Sequence, residues 1–397
     1  MVGRRGFLKI SAAGTAGALF SVPVWGKTKQ NLHKEPVRII QRKLGKTGLE
    51  LPVVSMGVMR ADNTALVKGA MDAGIRHFDT AHGYQGGRNE TMLGEFFKDY
   101  PRDSFTVATK IPLDDVDRDS GELGPGATKE SVLTKMEISL QRLKMDYVDI
   151  LYLHGLSHRQ VVLHPEFLEA LRTLKQQGKI RFAGVSTHRN EPDVIEAITE
   201  DPVYDVVLTA YNFNQGNREQ IREKIALAAG KGIGIIAMKT MAGGFLDKER
   251  NKPVNCRAAL KWVLQDPNVH TTIPGITAFD QLTENVSVME NLEMTEEEKL
   301  FIEEARLQAG LYCDQCGQCL ADCKKNLPVN EIMRAYMYAY GYRQTENALA
   351  LIREHGIGPG ACNGCDSCSV TCRRGFNVAE RIADISRLAA VPGDFLV

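Results

Sequence analysis

Four residues able to do proton chemistry stand at intervals in the first half of the sequence: Asp79, Tyr84, Lys110 and His154. Three of them end short apolar runs. Ile75 to Phe78 leads into Asp79, Thr106 to Thr109 into Lys110, and Tyr147 to Leu153 into His154; Tyr84 lies five residues past Asp79, in a Gly-bearing loop. A phenol with an ordinary pKa near ~10 is a poor acid at neutral pH. A nearby ammonium favours the phenolate and lowers that value. A carboxylate holds the Lys in place, and an imidazole orients or polarises a carbonyl oxygen. Together these make a proton donor beside an electrophilic carbon, which suits carbonyl reduction by hydride. Singly each has a plainer reading, since an Asp at a strand end also caps helices. Four in order on three consecutive strands is a stronger signal.

A second chemistry lies near the end of the chain. Eight of the nine cysteines fall in two copies of one spacing: Cys313, Cys316, Cys319, Cys323 and Cys362, Cys365, Cys368, Cys372. C-x2-C-x2-C-x3-C is the ferredoxin spacing for cubane 4Fe-4S clusters, in which the fourth Cys of a run ligates the other cluster. By that rule Cys313, Cys316, Cys319 and Cys372 hold one cluster, and Cys362, Cys365, Cys368 and Cys323 the other. The Pro that commonly follows the fourth Cys is replaced by Lys324 and Arg373. Zinc favours paired C-x2-C halves over a four-Cys run, and disulfides are the remaining alternative in an exported protein. Cys256 belongs to neither run and reads as a buried structural thiol.

The elements that must position these groups alternate between strand and helix. Candidate strands fall at 53–58, 75–79, 105–109, 147–153, 180–185, 205–211, 232–238 and 269–273. Helical periodicity falls at about 62–73, 89–99, 128–143, 165–177, 191–199, 217–230, 255–265 and 278–290. Residues 37–51, with Gly45 and Gly48, read as a hairpin closing a barrel floor. The expectation is an α/β fold, a (β/α)8 TIM barrel over 37–305, with strand ends meeting at one catalytic face. An open doubly wound sheet lacks the Gly-x-Gly-x-x-Gly it would need after an early strand. Residues 111–127 form a polar loop after Lys110, readable as solvated loop or substrate lid. His158 and His164, in the loop after His154, read as solvated. From residue 306 to 397 a small, mainly helical iron–sulfur module is expected, with helices at 329–342, 344–355 and 377–388.

The runs Phe78 to Tyr84, Ala108 to Lys110, Asp146 to His154 and Gly184 to Ser186 resemble the aldo-keto reductase superfamily, over roughly residues 38–305. The resemblance implies Tyr84 as proton donor, Lys110 and Asp79 as its tuning pair, and His154 as the carbonyl-orienting group. It implies a nicotinamide stacked on Tyr211, with its carboxamide held by Ser186, and a pyrophosphate near the loop from Met238 and Lys239 to Gly244. It also implies a closing nucleotide segment with Pro274, Gly275 and Asn285. Thr187 and Leu208 depart from the Asn and Gln common in the family. No Arg or Lys lies between His270 and Asn285. Recognition of a 2′-phosphate rests on charge-assisted donors, so NAD(H) and NADP(H) are left equally open. The chain is similar to the cluster-bearing branch of the superfamily.

The N-terminus carries Arg4 and Arg5 before Phe7, Leu8 and Lys9, then a short Gly/Ala-rich apolar run. It resembles a twin-arginine signal, here residues 1–26, which implies passage through that export machinery to a periplasmic location. The run is too short for a stable membrane span in the mature chain. Lys+Arg and Asp+Glu balance at 49 each, so no basic field argues for nucleic acid. Two functions from different classes follow. One is an oxidoreductase interconverting a small carbonyl and an alcohol, with electrons exchanged through the clusters and a redox partner protein. The alternative is a catalytically quiet barrel serving as an iron–sulfur electron-transfer subunit.

Overall fold

The computed structural model describes residues 39–392, apart from Asp62 and Asp366. The expected export signal lies outside the described residues. A hairpin comes first, β1 (Gln41–Lys43) antiparallel to β2 (Glu50–Pro52), with Gln41 opposite Pro52. Eight parallel strands follow among the described residues: β3 (Met56–Gly57), β4 (His77–Asp79), β5 (Thr106–Ile111), β6 (Val148–Leu153), β7 (Ile180–Thr187), β8 (Val206–Ala210), β9 (Gly234–Met238) and β10 (Thr271–Thr272). Each pairs with its sequence neighbour. Parallel bridges Val54–Thr272 and Gly57–Gly275 join the first edge to the last and close the barrel. The strand expected at 53–58 is regular only at Met56–Gly57. Before it, Val53 N–H donates to Ile40 O of the hairpin and Ser55 N–H to Thr272 O.

Helices α1 (Thr64–Asp72), α2 (Arg88–Phe97), α3 (Lys129–Leu143), α4 (Arg159–Val162), α5 (Pro165–Gln176), α6 (Glu191–Ala197), α7 (Arg218–Gly230), α8 (Cys256–Leu264), α9 (Phe279–Ser287) and α10 (Glu296–Arg306) accompany the strands. Local chemistry starts and stops them. Asn63, Thr128 and Asn255 cap α1, α3 and α8 through side-chain oxygens, and Thr295 and Glu298 form a reciprocal capping box on α10. Helix α4 lies where the sequence suggested loop. Val161 and Val162 are buried there, and Val162 O accepts from Tyr204 Oη at 2.6 Å. Apolar burial thus recruits a turn that has little periodicity of its own.

Alternation along the strands sorts side chains into two layers. Phe78, Val107, Leu151, Val185, Val207 and Ile235 point outward under the helices. Ala108, Ile150, Tyr152, Val206, Leu208 and Ile236 point inward and meet Leu44, Leu49 and Leu51 from the hairpin. The hairpin is therefore the floor, and each fully buried Leu there contributes about 1.5–3 kcal/mol. Gly45, at φ 49°, makes the turn possible: a Cβ on it would stand 2.3 Å from Gly232 O. With the floor filled, the inward positions at the C-terminal strand ends are left for polar groups.

After α10 the chain forms α11 (Val329–Tyr336), a π-helical turn over Met337–Gly341, α12 (Thr345–Glu354) and α13 (Val378–Ser386). Ile332, Met333, Ala348, Ile352, Ile357, Phe376, Ile382 and Ile385 give this extension its own core. A further cluster, with Phe213, Ala258, Ile302, Tyr312 and Met337, ties it to the barrel, and the two parts pack as one compact unit. Among the described residues no helix is long and apolar enough to cross a membrane.

Candidate active site

Asp79 ends β4 and Lys110 lies on β5, whose Ala108 pairs with Asp79. Both are almost completely buried, at 2 % and 1 % exposure. Lys110 Nζ donates to Asp79 Oδ1, to Thr80 O at 2.6 Å and to Tyr84 Oη at 3.3 Å. His154 follows β6, its N–H bonded to Ile111 O at 2.9 Å, and its ring centre lies 6.1 Å from that of Tyr84. The four residues therefore converge at one end of the barrel.

Burial disfavours charge on the Lys110 ammonium, but attraction to Asp79 and Tyr84 outweighs it and Lys110 is held protonated. His154 is pushed down to about 3, first by burial and then by Lys110, Arg118, Arg334 and Lys239. It is a neutral imidazole at any ordinary pH. Tyr84 corrects an expectation. Its pKa is raised, not lowered: burial dominates, Asp79 adds to it, and Lys110 only partly offsets both. In this site burial, with help from Asp79, outweighs the ammonium field that would otherwise acidify the phenol.

Residues the sequence reading passed over hold the loop that carries Tyr84. Asn89 Nδ2 donates to Val58 O at 2.8 Å, and Thr80 Oγ1 to Asn89 Oδ1 at 2.6 Å. Glu90 accepts from Thr109 Oγ1 at 2.6 Å and pairs with Arg142, which also donates to His82 O. Asn89 and Glu90 look like an ordinary polar helix start. Only their complete burial reveals the role. His188 was also missed, although it continues the inward alternation of Gly184 and Ser186. Of the two loop histidines set aside as solvated, His158 bonds Ser157 Oγ at 2.9 Å, and His164 Nδ1 is buried without a partner among the described residues.

The positions carried over for a nucleotide fit it unevenly. Ser186 Oγ is inward and accepts Gly155 N–H at 2.9 Å. Met238 ends β9 and Lys239 follows in left-handed conformation, its O accepting from Asn212 Nδ2 at 3.2 Å. Pro274 O accepts Gly57 N–H, and Gly275 bridges Gly57 at the barrel seam. Asn285 Oδ1 is taken by the Cys256 thiol at 2.6 Å. Thr277 and Gln281 bond each other at 3.0 Å, and the segment between His270 and Asn285 has no Arg or Lys to offer a phosphate. Tyr211 is a correction. It shares the outward side of β8 with Val207, packs 5.2 Å from Trp262 of α8 and belongs to the core under the helices. It is not a platform at the barrel mouth, because the strand parity turns it into the helix layer.

The cysteines form two groups. One concavity is lined by Cys313, Cys316, Cys319 and Cys372, with Asn330 and Met333 of α11 beside them. Another is lined by Cys323, Cys362, Cys365 and Cys368, with Lys324 and Lys325. The fourth cysteine of each run thus stands with the first three of the other. All nine cysteines are free thiols. Among the described residues no three His, Cys, Asp or Glu side chains converge as they would on a single metal ion. A cubane is held at four corners, so its ligands surround a volume instead of meeting at a point; the donor set fits that group. Asp314 fixes the first concavity to the barrel by accepting from Gly216 N and Arg373 Nη2, at 3.0 and 2.8 Å.

The aldo/keto reductase family model matches residues 54–306. Relatives include L-galactose dehydrogenase of Arabidopsis thaliana, 28% identical over 299 residues, covering 64% of this chain and 90% of that protein. L-glyceraldehyde 3-phosphate reductase of Escherichia coli K12 is 26% identical over 316 residues, covering 65% of this chain and 89% of that protein. An aldo-keto reductase from Bacillus halodurans, in its holo form, superposes with a TM-score of 0.56 at 24% identity, covering 68% of this chain and 96% of that one. The family match ends before the cysteine-bearing extension begins.

Proposed function

The chain belongs to the aldo/keto reductase family and is an oxidoreductase, and from that premise we propose that it interconverts a small carbonyl compound and the corresponding alcohol at Tyr84, Asp79, Lys110 and His154. The contact that carries this reading is the 3.3 Å approach of Lys110 Nζ to Tyr84 Oη, with Asp79 behind it. A nicotinamide, when bound, supplies or accepts the hydride. The chain's own residues manage the oxygen. Neutral His154 donates a hydrogen bond to the carbonyl oxygen and fixes its direction. Tyr84 keeps its proton until negative charge develops on that oxygen, then delivers it. Lys110, held by Asp79 and Thr80 O, stabilises the phenolate left behind.

We further propose that the extension carries two 4Fe-4S clusters with crossed ligation, exchanging electrons with a redox partner. The two four-cysteine concavities support this. Residues 1–26 would act as a twin-arginine signal, residues 37–305 as the barrel and 306–397 as the module, with the mature protein in the periplasm.

The test is Tyr84→Phe in cluster-loaded protein. Carbonyl reduction should fall by about 10²–10⁴-fold while iron content stays unchanged; full activity in the variant would overturn the assignment. The outward Tyr211 and the missing phosphate clamp favour a second reading, in which the barrel is quiet and the protein is an electron-transfer subunit. That reading predicts cluster reduction by a partner protein, no effect of NADH or NADPH on the cluster absorption band, and no Tyr84-dependent turnover.

A further inference from the structure

The extension does more than sit beside the barrel. Its helix α11 and the π turn lend Arg334 and Tyr338 to the same end that holds the tetrad. Arg334 is 7 % exposed; its Nη2 lies 2.7 Å from Glu331 Oε2, and its Nε has no hydrogen-bond partner among the described residues. Lys239, at the end of β9, holds its ammonium 5.7 Å from the centre of the Tyr338 ring, and among the described residues no carboxylate pairs with it. Tyr338 in turn acts on Tyr84, and both Arg334 and Lys239 act on His154 and His188. Tyr84, His154, His188, Lys239 and Tyr338 each keep some accessible surface though closely surrounded by protein. That combination marks side chains lining a recess.

The charges in this recess do not cancel. Asp79 answers Lys110, and Glu331 answers Arg334, with Arg189 4.0 Å away. Arg118 reaches outward to Glu354. Glu191 also acts on Lys239, but burial pushes it up to about 7, so it is a weak counter-charge. His154 and His188 are neutral. Lys239 and the free edge of Arg334 are left over. A buried cation without a partner is costly, and burial accordingly lowers the Lys239 pKa, a cost that a bound anion would offset; a guanidinium with unused N–H donors is shaped for an oxyanion. The cation field is strong enough that Tyr338, although burial works the other way, is acidified.

We propose that Arg334, Lys239 and Tyr338 form a subsite for an oxyanion, a carboxylate or phosphate, carried by the substrate away from its reacting carbon. The proposal rests on the carbonyl–alcohol reading above and deepens it by assigning the substrate class. Arg334 and Tyr338 lie beyond the matched family segment, so this specificity belongs to the extension.

The test is calorimetric binding to the full, cluster-loaded chain with two matched pairs: D-glyceraldehyde 3-phosphate against D-glyceraldehyde, and D-glucuronate against D-glucose. ADP serves as a third arm. The anionic member of at least one pair should bind about tenfold or more tighter than its neutral mate, and the pair that shows it separates phosphate from carboxylate. Arg334→Gln should abolish that preference while leaving neutral-ligand binding intact. Tyr338→Phe, which removes only the hydroxyl, should weaken it severalfold and guards against misfolding of the first variant. No preference in the wild type, or an unchanged preference in both variants, would overturn the proposal. So would loss of ADP binding alone in Arg334→Gln, which would give the subsite to the nucleotide. Because the readout is binding, an Arg334-dependent preference without Tyr84-dependent turnover would sink the catalytic reading and leave this one standing.

Discussion

The acid of the proposed reaction is a tyrosine that its surroundings make weaker. Burial raises Tyr84, and Asp79 blunts the ammonium that would lower it. A phenol that holds its proton in the resting site releases it only when an oxyanion forms within reach, so the proton moves with the chemistry. The pH dependence follows. His154 sits at about 3, so it is neutral throughout the working range and its charge changes only in strong acid. Tyr84 is protonated up to and beyond its ordinary value near ~10. At saturating substrate, carbonyl reduction should therefore run flat from about pH 5 to 8, with the titration of Glu191 at about 7 showing in KM, and decline only in strong alkali, where Tyr84 loses its proton. A wild-type inflection near ~6.5 that disappears in His154→Asn would show that the imidazole titrates, against this account. Tyr211 teaches a complementary lesson. Its place in the motif was legible, but its direction was not, because one step of strand parity decides whether a ring faces the mouth or the helix layer.

At the scale of elements, the join between the π turn and the loop after β9 decides how the extension meets the site. Tyr342 N–H reaches Met337 O, the five-residue spacing of a π turn, and Gln344 N–H reaches Tyr338 O. The wide turn sets Gly341 against Gly243, where a Cβ would stand 2.6 Å from the Gly243 carbonyl oxygen. Backbone on the facing side leaves little room to adjust, so Gly341→Ala should lift the π turn and draw Tyr338 and Arg334 away from the tetrad. The expected cost is about 1–3 kcal/mol in thermal unfolding and a rise in KM larger than the fall in kcat, with iron content unchanged. Kinetics indistinguishable from wild type would mean the turn does not position the recess. The barrel strands were legible because apolar runs at regular spacing survive any detail of packing. The tetrad was legible because its members end those runs. The helix expected over 329–342 is α-helical over Val329–Tyr336 and passes into a π turn over Met337–Gly341; that turn goes with the close tertiary approach of two glycines and leaves no period in the sequence. Arg334 carries no mark of its own in the sequence; its burial is what distinguishes it.

Across the whole molecule, the two cysteine groups stand at different depths. In the first group Cys313, Cys319 and Cys372 are half-buried and Cys316 is exposed; in the other Cys323 and Cys362 are half-buried and both Cys365 and Cys368 are exposed. The first group borders Asn330 and Met333 on α11, the helix that carries Arg334. On the proposed reading, electrons enter at the more exposed group, pass to the one beside α11 and reach the barrel through that helix. Under the proposed crossed ligation this order would be a property of the whole extension, since neither run would hold a cluster without the other, and metal binding and folding are coupled. Serine substitutions separate crossed from uncrossed ligation. If the ligands cross, Cys372→Ser damages the cluster held by Cys316, and Cys323→Ser damages the one held by Cys365. In the reduced protein, the paramagnetic resonance spectrum of Cys372→Ser should then match that of Cys316→Ser, and Cys323→Ser should match Cys365→Ser. Each variant should lose about half its iron, as expected for one of two clusters. The opposite pairing, with Cys372→Ser resembling Cys365→Ser, would assign each run its own cluster and remove the structural reason for an inner and an outer centre.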